Sequence, residues 1–519
     1  MFKKSNIILI VCVLLTMLVL NLSGFAQSEP KYGGTLRYAM EADPAGLDLQ
    51  IVTSDTDTVI SQHVFECLYT LNSKIEPVPY LVESSEVKDD GKLVVLHLRE
   101  GVLFHNGEEM TSEDVVASLN RWGKYGMRGG IFLDYIDKIE VVDRYTVNMH
   151  FKRVLGTWKV LLAFHNAGPV IMPKDIMDAA GPEPVGLADL IGTGPYKFKK
   201  WEAGGSITLE RFDDYSSRDE EPDGYAGRRT AYIDEIIFTP VTDPVTRRNG
   251  VIAGDYDWAF PIPGDFYNEL KEDPRVVTEI VSAPLFGGVF FNSRKGIFKD
   301  NYKLREAIAA AIDHEAVMLA ATGQEGLYAV NGSMYPPGTA YYSEAGIDKF
   351  NRNDPELARQ LAKEAGYNGE EIRLIFSSRD IHYNSVYAMT PMLEEAGFNI
   401  KLGMYDWATL VTLRPKEDLW DIFFTTSCFM PDPSLFTWMS PDYPGWWQTE
   451  ERNELVAKLN KASDIAERAE IWGEIQALMY EQYPIIKTGD IYYYSIYSPK
   501  VHADKFSYWK YFWNAWLEE

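Results

Sequence analysis

The chain has 519 residues, 76 of them acidic and 50 lysine or arginine, for a net charge of −26. A surface this acidic repels nucleic acid and anionic lipid, and 519 residues with 46% apolar content exceed what one core holds. Three cysteines, with no CxxC and no His/Cys cluster at ligand spacing, argue against a metal framework.

Lys3 and Lys4 precede a nearly unbroken apolar run from Ile7 to Leu20, and Gly24-Phe25-Ala26 reads as a small-x-small cleavage signal. The run is short of the roughly 20 apolar residues that a bilayer needs. We therefore expect a signal peptide over 1–26, removed after Ala26. Cys12 lies too early in the run for lipid attachment, so the expected mature chain is secreted and not lipid-anchored. It keeps 48 basic residues against 76 acidic ones.

Tyr32–Tyr38 reads as a first strand, followed by the loop Glu41–Asp48. Ser54-Asp55-Thr56-Asp57 has the residues of a helix N-terminus, and the pattern continues through His63–Leu68. The segment Leu96–Trp122 alternates as a strand, turns at His105-Asn106-Gly107, and caps a helix at Thr111 with Asp114 three residues on. Val115, Val116, Leu119 and Trp122 then fall at helical spacing. Ile191–Tyr196 is glycine-rich but lacks a GK[ST] ending and runs on as a strand, so it is no phosphate loop.

Val289–Asn292 reads as a strand and Leu304–Ala311 as a closely packed helix. His314-Glu315 has no second histidine four residues on, which excludes an HExxH zinc site. Ile372–Phe376, Met389–Glu395 and Ile400–Met404 follow a strand–helix–strand rhythm that implies parallel pairing. Leu455–Tyr480 holds two helices, and the aromatic tail Tyr508–Trp516 is expected to dock on the first half of the chain. Cys67 and Cys428, far apart in sequence, are expected to be two buried free thiols.

Several of these segments together resemble extracytoplasmic solute-binding protein family 5, the peptide/nickel-type receptors of ABC importers. The carriers are LREGVLFHNGEEMTSEDVVASLNRW at 98–122, GTGPY at 192–196, Arg305–Asp313, and DWATLV at 406–411, which resembles a subgroup of the family. The resemblance implies an α/β, two-lobed periplasmic-binding-protein fold (type II, large cluster C-like). It places lobe I at 27–284 with an extra subdomain over roughly 60–185, lobe II at 285–484, and a return to lobe I over 485–519. It implies a monomeric periplasmic receptor that closes on a ligand by a hinge, makes and breaks no bond, and needs no cofactor. Its partners would be permease subunits with their cytoplasmic ATPases.

By the same resemblance, Asp432 is the candidate partner of a ligand α-amine and Arg379 of a ligand carboxylate. Asp380, beside Arg379, could instead neutralise it. Trp407 is a candidate stacking platform. Ser54, Thr56, Cys428, Phe429 and Trp438 are candidate wall residues. Trp446-Trp447 could stack a sugar, or anchor a loop. An oligosaccharide receptor, a non-transport periplasmic adaptor and a glycoside-processing enzyme are the competing functions. No GxSxG or zinc signature supports an enzyme. A nickel site would have only His382 near the cleft, too few ligands for a transition metal.

Overall fold

The computed structural model describes residues 29–202, 204–281, 285–505 and 509–518. The expected signal peptide, its cleavage after Ala26 and Cys12 lie outside the described residues.

Two sheets organise the chain. In a seven-stranded sheet, Thr35–Met40 lies centrally and runs parallel to both neighbours, Glu235–Pro240 and Trp258–Phe260. Antiparallel strands complete it, with Val277–Ile280 at one edge and Tyr196–Trp201 at the other. In a six-stranded sheet, Leu285–Phe291 pairs with Ile422–Cys428 on one side and Ile485–Ile491 on the other. There Glu371–Ser377 and Asn399–Tyr405 run parallel, joined by the helix Asp380–Glu395, as the strand–helix–strand rhythm predicts. A separate four-stranded antiparallel sheet, Val82–Lys88, Leu93–Leu98, Thr146–Phe151 and Ile136–Asp143, falls within the stretch expected as the extra subdomain.

Local chemistry explains the elements that matter most. The helix Ser112–Tyr125 starts at a capping box in which the Thr111 backbone N–H donates to Asp114 Oδ2 at 2.8 Å. It buries Val115, Leu119 and Trp122, and Trp122 donates its indole N–H to the Ala167 carbonyl at 2.8 Å. The helix expected to run through Leu68 instead spans Asp55–Ser61. His63 ends it: Nδ1–H donates back to the Val59 carbonyl (2.9 Å), and Nε2 accepts the Phe512 backbone N–H (2.9 Å). A histidine held from both sides cannot follow the helix.

Val277–Ile280 belongs to the first sheet and Leu285–Phe291 to the second. The return does not fall at Ile485. Ile485–Ile491 pairs with Leu285–Phe291 and is buried throughout, so the chain goes back only through Tyr492-Tyr493 into Tyr494–Tyr497. The polar residues in this strand, Lys487 and Asp490, neutralise each other inside the sheet at 2.6 Å. Cys67 and Cys428 are both free, but only Cys67 is buried. Cys428 ends a strand whose burial fades over its last three residues.

Four of the eight histidines are buried and a fifth, His105, is half-buried; all five are held neutral. Burial pulls His63 and His165 down to about 3, and His105, His314 and His382 to about 4. The unfolded chain protonates these five near pH 6.5 and the folded chain does not. Their contribution is therefore complete above pH 6.5 and lost as the pH falls toward 4, by up to about 1.4 kcal/mol per pH unit for each proton. Glu41, Asp57 and Glu279, whose carboxyls burial pushes up, act in the opposite sense and temper the slope. Urea midpoints are expected to fall steadily from pH 7 to pH 5, and a flat profile would contradict this.

Candidate functional site: the interlobe cleft

Where Thr35–Met40 and Trp258–Phe260 end and both crossings converge, the structure leaves a cavity of about 290 Å³. The carboxyl ends of parallel strands are the usual ligand position in α/β sheets. Glu41, Asp55, Thr56, Phe260, Tyr493 and Trp509 are among the residues that line it. Each arrives for a local reason. Glu41 follows the central strand, Asp55 and Thr56 open a helix capped by Ser54, and Tyr493 stands on the return crossing.

Tyr493 marks where the two lobes meet. Burial pushes its hydroxyl up, followed by the charges of Glu41 and Cys428, with Arg379 opposing and Asp55 adding. Glu41 and Asp55 come from the first lobe, and Cys428 and Arg379 from the second. Burial also pushes the Glu41 carboxyl up; Arg247 opposes this and Asp55 adds to it. Asp55 Oδ1 accepts the Trp509 indole N–H at 2.8 Å.

The second lobe carries a cation whose charge acts on Tyr493. Arg379 is exposed at the start of the helix Asp380–Glu395, its guanidinium 4.0 Å from the Trp407 ring centroid. Among the described residues no carboxylate, Asp380 included, forms an ion pair with it. Trp407 is the first residue of the helix Trp407–Leu413, set by the Asp406 cap, whose Oδ1 accepts the Thr409 N–H at 2.9 Å. His382 lies 5.9 Å from that ring. Its Nε2 accepts the Thr426 N–H at 3.1 Å, so Nδ1–H donates to Ser377 Oγ at 2.6 Å. Both nitrogens are engaged, and among the described residues no group of three His, Cys, Asp or Glu side chains could hold a metal.

Asp432 is not at this site. It is 2% exposed, and both of its oxygens are taken. Oδ1 accepts from Arg468 Nη2 (2.6 Å) and from the Ser434 N–H (2.9 Å) and hydroxyl (2.6 Å). Oδ2 accepts from Arg468 Nε (2.9 Å) and the Tyr341 hydroxyl (2.7 Å). Burial alone would push this carboxyl up, but the Arg468 guanidinium outweighs it and holds Asp432 below the usual range. Arg468 in turn donates to the carbonyls of Leu459 (2.6 Å) and Ala462 (2.7 Å). The expected amine anchor is thus a structural ion pair.

Phe429 and Trp438 are also core rather than wall, each 4% exposed. Phe429 packs on Tyr335 at 5.2 Å, and Trp438 stacks on Phe436 at 5.3 Å. Trp446 and Trp447 are equally buried, with Trp446 stacked on Trp420 at 5.5 Å, so they anchor a loop. Ser54 caps its helix by accepting the Asp57 N–H at 3.2 Å. Of the expected wall residues, Thr56 lines the cavity, whereas Arg379 and Cys428 reach it only through their charges on Tyr493, with Trp407 beside Arg379. Sequence reasoning missed Glu41, Asp55, Tyr493 and Trp509 as site residues. The first two lie in segments it had marked as a loop and a helix start; Tyr493 was hidden by the misplaced return crossing.

This arrangement is that of a two-lobed receptor, and the comparisons agree. The chain belongs to the bacterial extracellular solute-binding proteins, family 5, whose middle-region model matches residues 76–447. It is 30% identical over 494 residues to the probable peptide ABC transporter periplasmic-binding protein y4tO of Sinorhizobium fredii, covering 91% of each chain. It is 25% identical over 465 residues to the oligopeptide-binding protein AppA of Bacillus subtilis, covering 83% of this chain and 78% of that one. Among solved structures, HbpA2 of Haemophilus parasuis matches with a TM-score of 0.79 at 21% identity, covering 94% of this chain and all (100%) of that one. AgaA of A. tumefaciens R10, in complex with agropinic acid, matches with a TM-score of 0.68 at 26% identity, covering 90% and 94%. The chain is a transport receptor and not an enzyme.

Proposed function

We propose that this chain is the periplasmic receptor of an ABC importer, which captures a peptide or peptide-like solute between its lobes and delivers it to the permease. In this reading the signal peptide 1–26 directs export, and the mature chain works as an unlipidated monomer. The first lobe runs to Val281 and resumes at Tyr494, the second spans 285–491, and the return at 492–493 serves as a hinge. Ligand binding shifts the population toward a closed form that the permease recognises.

The observation that carries the proposal is Arg379. An exposed guanidinium, stacked on Trp407 and close enough to Tyr493 at the cavity for its charge to act there, suits a ligand carboxylate. The peptide names of the two relatives described above, at 30% and 25% identity, support the ligand class. Hydrogen bonds to charged groups contribute about 1.5–3 kcal/mol each. Arg379→Ala is therefore expected to weaken tripeptides with a free C-terminus by roughly 10- to 100-fold. The same tripeptides amidated at the C-terminus should bind weakly to wild type and lose little more in the variant. Isothermal titration checks this, and equal affinity of wild type and variant for the free acids would contradict it. The 26% likeness to the agropinic-acid complex supports a second reading, an opine-type ligand, and agropinic acid belongs in the same titration.

A further inference from the structure

We propose that the first-lobe half of the cleft is a cation subsite, so that the imported solute presents an ammonium or guanidinium there, opposite the carboxylate end at Arg379. This rests on the cleft reading above and specifies its ligand. Three carboxylates, Glu41, Asp55 and Glu279, line one cavity, and Lys510 is the only ammonium or guanidinium among its described lining residues. Lys510 is already committed. Its Nζ donates to Glu279 Oε1 (2.9 Å) and the Asp504 carbonyl (2.6 Å), and both partners of that ion pair are more than nine-tenths buried.

What remains is unbalanced negative charge. Glu279 Oε2 is buried without a hydrogen-bond partner among the described residues. Neither Glu41 nor Asp55 forms an ion pair among them; a cation whose charge acts on Glu41, Arg247, spends its guanidinium on the carbonyls of Val241, Thr242 and Pro261. Two carboxylates that repel each other at one wall, with a third offering an unmatched oxygen deeper in, gain from a positive charge brought among them. The rest of the wall suits the same group. Trp258 already holds the Lys510 ammonium 4.3 Å from its ring, and Phe260 and Trp509 add two more aromatic faces. An anionic group placed here would meet three like charges; an apolar one would leave Glu279 Oε2 unmatched.

The positive charge can come from a ligand's α-ammonium or from a basic side chain, and two peptide modifications separate the sources. Ligand-stripped, refolded protein is titrated with Lys-Ala-Ala, norleucine-Ala-Ala, and the Nα-acetylated form of each. Removing the charge that occupies the subsite should weaken binding by about tenfold or more. Loss on acetylation assigns the α-ammonium, and loss on the lysine-to-norleucine change assigns the side chain. In Glu41→Gln/Asp55→Asn, with folding checked by circular dichroism, that loss should shrink to a few-fold. Retention of full affinity by acetyl-norleucine-Ala-Ala would overturn the cation subsite while leaving the peptide reading intact. An undiminished charge effect in the double variant would also overturn it. Absence of binding by every peptide in the set would overturn the peptide reading and the subsite together.

Discussion

Asp432→Ala is expected to destabilise the fold by about 3–5 kcal/mol, the cost of stranding a buried charge. Asp432 and Arg468 have side chains 3% exposed on each side, and Asp432 supplies the only carboxylate ion-paired to Arg468 among the described residues. Truncation leaves the guanidinium buried with no counter-charge, held only by the neutral Tyr341 hydroxyl and the Leu459 and Ala462 carbonyls. The double replacement Asp432→Leu/Arg468→Met removes both charges at similar volume and should recover most of the loss. Urea unfolding of the three proteins separates this account from an amine anchor. A single variant of wild-type stability that has lost its ligand affinity would restore the anchor.

Gly156→Val is expected to spare the fold and abolish lobe closure. The Gly156 N–H donates to the Asn460 carbonyl at 2.8 Å, joining the first-lobe extension to the second lobe. A Cβ at this position would overlap the Ala462 carbonyl and crowd Arg468 Nη1. The carbonyl is held in place by Arg468, and Arg468 by Asp432, so the ledge cannot give way. The Ala340 N–H to Lys74 carbonyl bond (3.3 Å) reinforces the same approach. If closure becomes rare, apparent affinity falls in proportion to the closed fraction, tenfold or more for a tenfold shift. Small-angle scattering should show wild type compacting on ligand saturation and the variant keeping its unliganded radius of gyration. Equal compaction would contradict the prediction.

Much of the architecture was legible because local chemistry and the tertiary outcome agree. Thr111 and Asp114 form their capping box, and the rhythm over 372–404 becomes a parallel pair. The glycines at 192 and 194 are needed because a Cβ at either would run into the backbone of Val64 or His63. The resemblance to family 5 placed the fold class. The failures have a common physical origin. Asp432-Pro433 looks the same in sequence whether its carboxylate faces a ligand or an arginine 36 residues further on. The pairing of Ile485–Ile491 with Leu285–Phe291, a strand far earlier in the chain, is a long-range contact that its own sequence does not show, so the return lies one whole strand later than expected. Glu41 and Asp55 became a site only when the fold brought Tyr493 and the second lobe to them, which no local pattern encodes.

The most direct test of this account is a crystal structure of the mature protein with a bound tripeptide. It predicts the ligand carboxylate within hydrogen-bonding distance of the Arg379 guanidinium, the ligand cation at Glu41 and Asp55, and Asp432 still bonded to Arg468. A ligand amine seated on Asp432, with Arg468 displaced, would contradict it.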